Sequence, residues 1–443
     1  MTLLLISSDT VDTQMAGPGI RYWEFARHLS QTHNVTLLIP NHTTLSHPRV
    51  RIVQRTRQTL AAAVRAADVI VTQGYVYNIA PLLLSAKPLV IDLYDPLPIE
   101  LLEHHAHLSL NMAQFSQSYC VARTLLLLQR GDFFLYCHDR QRDYWTGMLT
   151  AVGRMNHRQY RQDPRVSNLF GHVPYGISET PPEHTRTVLR ESTSHFSEHD
   201  TILLWGGGLW KWFDPCSVIR AIADISTTRQ DIKLLFLGAK RPDDATGPNV
   251  AYATEDAIAL SKQLNVYQRT VCFHHAWIPY HDRQNYLLEA NIGISTHFDT
   301  LETRLSFRTR LLDYLWAGLP MITTTGDVLS DVIEQHRLGL VVPPGDIARL
   351  KDAILRLADD PALLDQCRAN IQRIAPQFFW RNAIQPLENF CAQPYRTSHH
   401  TAFTTWFHLL RFYAQTGKTL ITSRAYQKLL AKLRQAVRRS SRR

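Results

Sequence analysis

The sequence predicts an α/β protein made of two doubly wound halves, each built on a parallel sheet. Three observations carry that expectation. A continuous apolar strand at residues 3–6 runs through a polar loop ending Gly17-Pro18-Gly19-Ile20-Arg21 into a helix and a second strand at 35–39, which makes a βαβ unit. The same succession restarts at residues 201–205, where a strand opens onto Gly206, Gly207 and Gly208 before a helix from about Ser217. Between them, residues 171–200 are rich in Pro, Gly and charge, as expected at a boundary. A chain of 443 residues also exceeds one ordinary core, so two or three domains are expected.

Composition excludes several classes. No apolar run approaches the roughly 20 residues of a membrane span. Residues 1–6 lead at once into Ser7, Ser8 and Asp9, without a basic leader or a small-residue cleavage site, so they read as a buried strand and not an export signal. The six cysteines are scattered with no Cys-x-x-Cys pair, which suggests reduced core thiols in the cytoplasm. The net charge of +10 comes from one end. From Arg396 onward there are eleven Lys or Arg and no acid, which leaves the preceding body near neutrality.

Taken in order, the first half continues with strands at 68–72, 88–92 and 132–137. The second of these ends in Asp92-Leu93-Tyr94-Asp95-Pro96, placing carboxylates just past a strand end, where α/β proteins bind ligands. Glu103, His104, His105 and His107 follow on a helix; they lack the spacing of a metal site and read as an exposed polar face. In the second half, strands are expected at 232–237, 271–273, 291–295, 321–324 and 340–342. Lys211 could add charge beside the three glycines, and Trp210 and Trp212 offer either a stacking surface or domain-interface packing. Residues 376–394 read as helical.

The densest stretch is 301–325. Ser306 suits an N-cap, and residues 308–316 have the apolar spacing of a helix that Gly318 and Pro320 terminate. Arg308, Thr309 and Arg310 stand in its first turn, where unpaired N–H groups already favour anions. Asp313 lies about a turn further on. The pattern fits a diphosphate at the helix start with a sugar hydroxyl at the carboxylate, and it equally fits a solvated Arg–Asp face.

Together these pieces resemble GT-B glycosyltransferases of the family-4 type. Gly17 through Arg21 with the next helix and strand looks like the acceptor-side start, and Val173-Pro174-Tyr175-Gly176-Ile177 is similar to the entry into the donor domain. Ser306 to Ile322 resembles the donor-site motif, and Gly339 to Asp346 the segment after it. The resemblance implies two Rossmann-like domains facing across a cleft: an acceptor-side domain at 1–175, a donor domain at 176–375, a helix returning toward the first domain at 376–395, and a basic helical tail at 396–443. It implies a nucleotide-sugar as substrate, with no cofactor and no metal. Gly206, Gly207, Gly208, Ser306, Thr309 and Lys211 would then meet the diphosphate and Asp313 the ribose. Gly17, Gly19, Arg21 and Asp95 would approach from across the cleft, with Arg21, Asp95, Arg308 and Arg310 as catalytic groups. The motif's first glutamate is replaced by Leu305, and Glu302 is the candidate substitute for contact with the sugar. Gly208 and Trp212 lie where the motif has its donor-site Arg and Lys.

The expected activity is transfer of a sugar to a cell-surface glycan or lipid-linked acceptor. The alternatives are a nucleotide-sugar epimerase of the same fold and a non-catalytic binding protein. The aromatic and basic stretch 403–443 suits an anionic membrane surface, a nucleic-acid arm or a solvated helix end. The membrane is the favoured partner, which would put the protein in the cytoplasm at the inner face; nucleic acid is not expected.

Overall fold

The structure, a computed structural model, describes residues 1–74, 79–190, 195–238 and 253–397. The expected membrane contact of 403–443 therefore lies outside the described residues.

Seven parallel strands form the first sheet: β1 (Thr2–Ile6), β2 (Asn34–Ile39), β3 (Val50–Gln54), β4 (Val69–Gln73), β5 (Leu89–Asp92), β6 (Phe133–Tyr136) and β7 (Phe170–His172), in the order β3-β2-β1-β4-β5-β6-β7. Six more form the second: β8 (Thr201–Gly206), β9 (Ile232–Leu237), β10 (Val271–His274), β11 (Ile292–Ser295), β12 (Met321–Thr324) and β13 (Gly339–Val342), in the order β10-β9-β8-β11-β12-β13. Both sheets are buried on two faces by helices, which is why strands such as β1 and β8 read as unbroken apolar runs. Strand order reverses between β1 and β4 and again between β8 and β11. The loops after β1 and β8 therefore open at switch points, where such sheets bind ligands.

Two strands escaped the sequence. β3 (Val-Arg-Ile-Val-Gln) is a half-exposed edge strand with charge in it, and β7 is three residues long inside the Pro- and Gly-rich stretch. The helix expected after Arg21 begins earlier, at Gly17, because Pro18 fits a first helical turn. The helical stretch expected at 376–394 is three short pieces, Ala375–Phe378, Trp380–Ala383 and Gln385–Ala392.

The chain passes between the halves twice at nearly one place. Ile177 N–H donates to Phe378 O at 2.8 Å, and Trp380 N–H to Ile177 O at 3.1 Å. Trp380 is buried against Phe25 and Tyr175, and its indole takes the space of a Cβ at Gly176, which would stand 2.5 Å from the ring. Beyond this crossing, Phe390 stacks on Phe133 of the first sheet, with centroids 4.7 Å apart.

Candidate active site

The helix Thr309–Ala317 carries the donor-side residues. Its apolar face buries Leu311, Leu312 and Leu315, and Gly318 ends it in the left-handed conformation that glycine adopts freely. Tyr314 fixes its depth: the hydroxyl donates to Leu204 O and accepts from Gly206 N–H, both at 2.8 Å. Ser306 is not the N-cap. It closes the preceding short helix, Leu301–Leu305, donating its hydroxyl to Thr303 O, and Arg308 takes the cap position with no side-chain cap. The first-turn N–H groups of the helix are thus left without a side-chain acceptor, beside Gly206, Gly207 and Gly208 in the wall of the cleft.

The two arginines of this turn differ. Arg308 is committed within the protein, bidentate to Glu302 at 3.0 and 2.7 Å and bonded to Thr303 Oγ1 at 3.1 Å. Arg310 donates Nη2 to Gly208 O at 2.6 Å and lies over the rings of Phe213 and Trp205. Its Nη1 is buried without a partner. Burial lowers its pKa to about 10, so it stays cationic at neutral pH. Asp313 accepts from Arg283 Nε at 3.1 Å, and Arg283 lies flat on Tyr280.

Gly17 and Asp95 face this from the first half. A Cβ at Gly17 would stand 3.5 Å from Thr309 Oγ1 and 3.6 Å from the Tyr94 hydroxyl, so the starts of the two helices Gly17–Leu29 and Thr309–Ala317 converge. Asp95 follows β5 at the cavity wall. Burial raises its carboxyl to about 8, helped by Asp92, and burial pushes Glu100 well above the usual carboxylate range as well. The cavity between the halves has a volume of about 680 Å³. It is bordered by Gly17, Asp95, Gly206–Gly208, Glu302, Ser306, Thr309, Arg308, Arg310 and Asp313 of the expected set, within the range of small-molecule sites.

Three expected residues are elsewhere. Arg21 is fully buried, paired with Asp92 at 2.8 and 3.0 Å and bonded to the carbonyls of Val173 and Pro174, so it ties β5 to the inter-half crossing and does not line the cavity. Gly19 is a packing glycine, since a Cβ there would stand 2.0 Å from Thr10 O. Lys211 points outward to Asp256 in an exposed pair. His104 also departs from the exposed polar face: it lies edge-on to Trp212 at 4.6 Å, and burial lowers its pKa to about 4. Trp210 and Trp212 stack with centroids 5.6 Å apart, so they are interface packing and cavity wall at once. Sequence reasoning missed Arg283, Glu100 and Trp277 as cavity residues; only the pairing of strands far apart in sequence brings them in. Among the described residues, no three His, Cys, Asp or Glu are grouped to hold a metal ion, and no helix is long and apolar enough to cross a membrane.

Residues 200–360 match the family model described as Glycosyl transferases group 1. The matched stretch runs from the start of the second sheet and covers less than half of the chain. Solved structures extend the likeness to both halves. Sucrose-phosphate synthase from Thermosynechococcus elongatus superposes with a TM-score of 0.62 at 16% identity, over 89% of this chain and 98% of that one. Anabaena Alr3699/HepE, solved in complex with UDP-glucose, gives 0.59 at 12% identity over 88% and 99%. WaaG, a glycosyltransferase involved in lipopolysaccharide biosynthesis, gives 0.57 at 15% identity over 87% and 99%. The fold is therefore GT-B, with both Rossmann-like halves present. Sucrose-phosphate synthase 4 of Arabidopsis thaliana is 25% identical over 225 residues, which is 48% of this chain and 19% of that protein. The match thus spans about a fifth of the length of that curated relative.

Proposed function

We propose that the protein transfers a sugar from a nucleotide-sugar donor to a cell-surface glycan or lipid-linked acceptor, without a metal ion. The observation that carries this reading is the pair of converging helix starts, with the unpartnered Arg310 Nη1 and the glycine strip beside them. Fixed N–H dipoles and a cation aimed at one spot favour a diphosphate there, and favour it more as the bond from the sugar's anomeric carbon to the diphosphate breaks and charge develops on the leaving oxygen. Asp313 lies about a turn further along the same helix, within reach of ribose hydroxyls. Asp95 and Glu100 border the first-half side of the cavity, where an acceptor hydroxyl must lose its proton as its oxygen bonds to the sugar. Glu302 is placed for a sugar contact, oriented by Arg308. Because a relative of this fold was solved with UDP-glucose, a uridine nucleotide is the first donor to try. The acceptor and any membrane contact at the inner face of the cell belong to this proposal too.

One observation favours a second reading, a binding protein without turnover. The motif's first glutamate is Leu305 here, and the substitute Glu302 is already engaged by Arg308. A thermal-shift screen of UDP-, GDP-, ADP- and dTDP-sugars, followed by assay of sugar release from the donor that binds, separates the readings. A shift with release supports transfer, a shift without release supports the binding protein, and no shift at millimolar nucleotide overturns both.

A further inference from the structure

The helix Asp139–Ala151 begins with an arrangement that joins the two sides of the cleft. His138 is its N-cap, its Nδ1 accepting from Gln141 N–H, so in the neutral ring Nε2 carries the hydrogen and donates to Leu305 O at 3.0 Å. Burial keeps that ring neutral, its pKa lowered to about 4. Gln141 is fully buried and uses its whole amide. Its Oε1 accepts from Cys137 N–H at 3.0 Å, while Nε2 donates to Tyr94 O at 2.8 Å and to Leu305 O at 2.9 Å. Leu305 O is the carbonyl at the end of the short helix that carries Glu302, and Tyr94 O belongs to the peptide that leads into Asp95. Next to Gln141 in sequence, Arg140 donates Nη1 to Gly326 O at 2.8 Å and pairs with Asp331, both in the second half.

We infer that Gln141, with His138, is a positioning residue for sugar transfer: its amide sets the distance between the acceptor-side Asp95 loop and the donor-side helix bearing Glu302 and running into Arg308. The inference rests on the transferase reading above. Its physical basis is that a buried amide with all three of its bonds made, two of them to carbonyls on opposite sides of a cleft, holds those carbonyls in one relation. The cost of leaving such carbonyls unpaired keeps it so. Leu305 stands where the family motif has a glutamate. Here the position contributes its carbonyl, through which the first half grips the loop.

Gln141→Glu tests this. The carboxylate retains an acceptor for Cys137 N–H but sets an oxygen against the carbonyls of Tyr94 and Leu305. The expected result is a fall in kcat for transfer of at least tenfold, with the KM for donor within twofold and the nucleotide thermal shift retained. His138→Asn, which can still cap the helix but cannot reach Leu305, should show a smaller fall of the same kind. Equal loss in kcat and donor affinity, or kcat within twofold of the parent in both folded variants, would overturn the inference. A second measurement is independent of turnover. Amide exchange over residues 301–308 in ligand-free protein should be faster in Gln141→Glu than in the parent, while exchange in β8 and β9 is unchanged. Unchanged exchange over 301–308 would overturn the inference, and a parent with no turnover but faster exchange in the variant would overturn the transferase reading alone.

Discussion

Arg21–Asp92 and Arg308–Glu302, both buried and bidentate, lie near the C-terminal edges of the two sheets. Their chemistry is the same and their surroundings are not. The first is enclosed by Phe25, Tyr94 and the carbonyls of the inter-half crossing, so every guanidinium bond ends on protein. The second borders the cavity, with Phe213 behind it and a second carboxylate, Asp327, 3.9 Å from Arg308 Nε. A buried arginine is therefore not in itself a sign of a binding site; what distinguishes the two is whether the pair has a wall of protein or of cavity beyond it. In the first half the pair supports the fold, and in the second it orients a carboxylate toward the cleft.

The comparison can be broken most sharply at Asp92. Asp92→Ala leaves the Arg21 charge buried and uncompensated and should lower stability by about 3–5 kcal/mol in denaturant unfolding. Glu302→Ala should cost less than that, since Arg308 keeps Thr303 and can turn toward Asp327, while transfer falls at least tenfold. Equal stability losses in the two variants would erase the distinction. Next in size is Arg310. A donor at about 100 times its dissociation constant should add roughly 2.7 kcal/mol of stability to the parent. Arg310→Ala should lose most of that increment, with Arg310→Lys recovering part of it.

A pH experiment sharpens the acceptor side. Asp95 is held well above its ordinary range in the folded protein, so the native state keeps a proton that the unfolded chain releases. Stability from this group is full below the ordinary carboxylate range and declines as pH rises toward about 8. Asp95→Asn should flatten the decline in melting temperature between pH 5 and pH 8, and a decline as steep as in the parent would contradict the assignment. The smallest effect belongs to Lys211, whose exposed pair with Asp256 contributes about 0.2–1 kcal/mol at most. Lys211→Ala should leave the nucleotide-induced shift unchanged, and loss of that shift would return Lys211 to the donor site.

Much of the fold was legible because local and global signals agree. The apolar runs of β1, β8 and β9 cannot be amphipathic surface, and glycine-bearing loops after two of them mark the ligand edge in a doubly wound sheet. β3 and β7 were not legible, since one is a charged edge strand and the other is too short for a period. Among the cavity-wall residues, Gly206–Gly208, Thr309, Arg310 and Asp313 were legible because helix starts and glycines announce themselves locally. Arg21 and Arg308 carried the same residue-type signal, and only pairing with Asp92 and Glu302, 71 and 6 residues away, separates framework from cleft wall. Ser306 was misplaced for a related reason: a serine near a helix start can close the preceding helix as readily as it caps the next. Gln141 and His138 had no signal at all, because their partners are backbone carbonyls and N–H groups that any sequence provides.

The double passage of the chain at Ile177 and Phe378–Trp380 has a mechanical consequence. Two neighbouring segments, hydrogen-bonded to each other and locked by one indole, resist both sliding and separation of the halves. Rotation about the line they share remains as the soft coordinate. Any opening of the cleft is then a swing whose arc grows with distance from Trp380, so a bulky acceptor gains most room at the rim farthest from that residue.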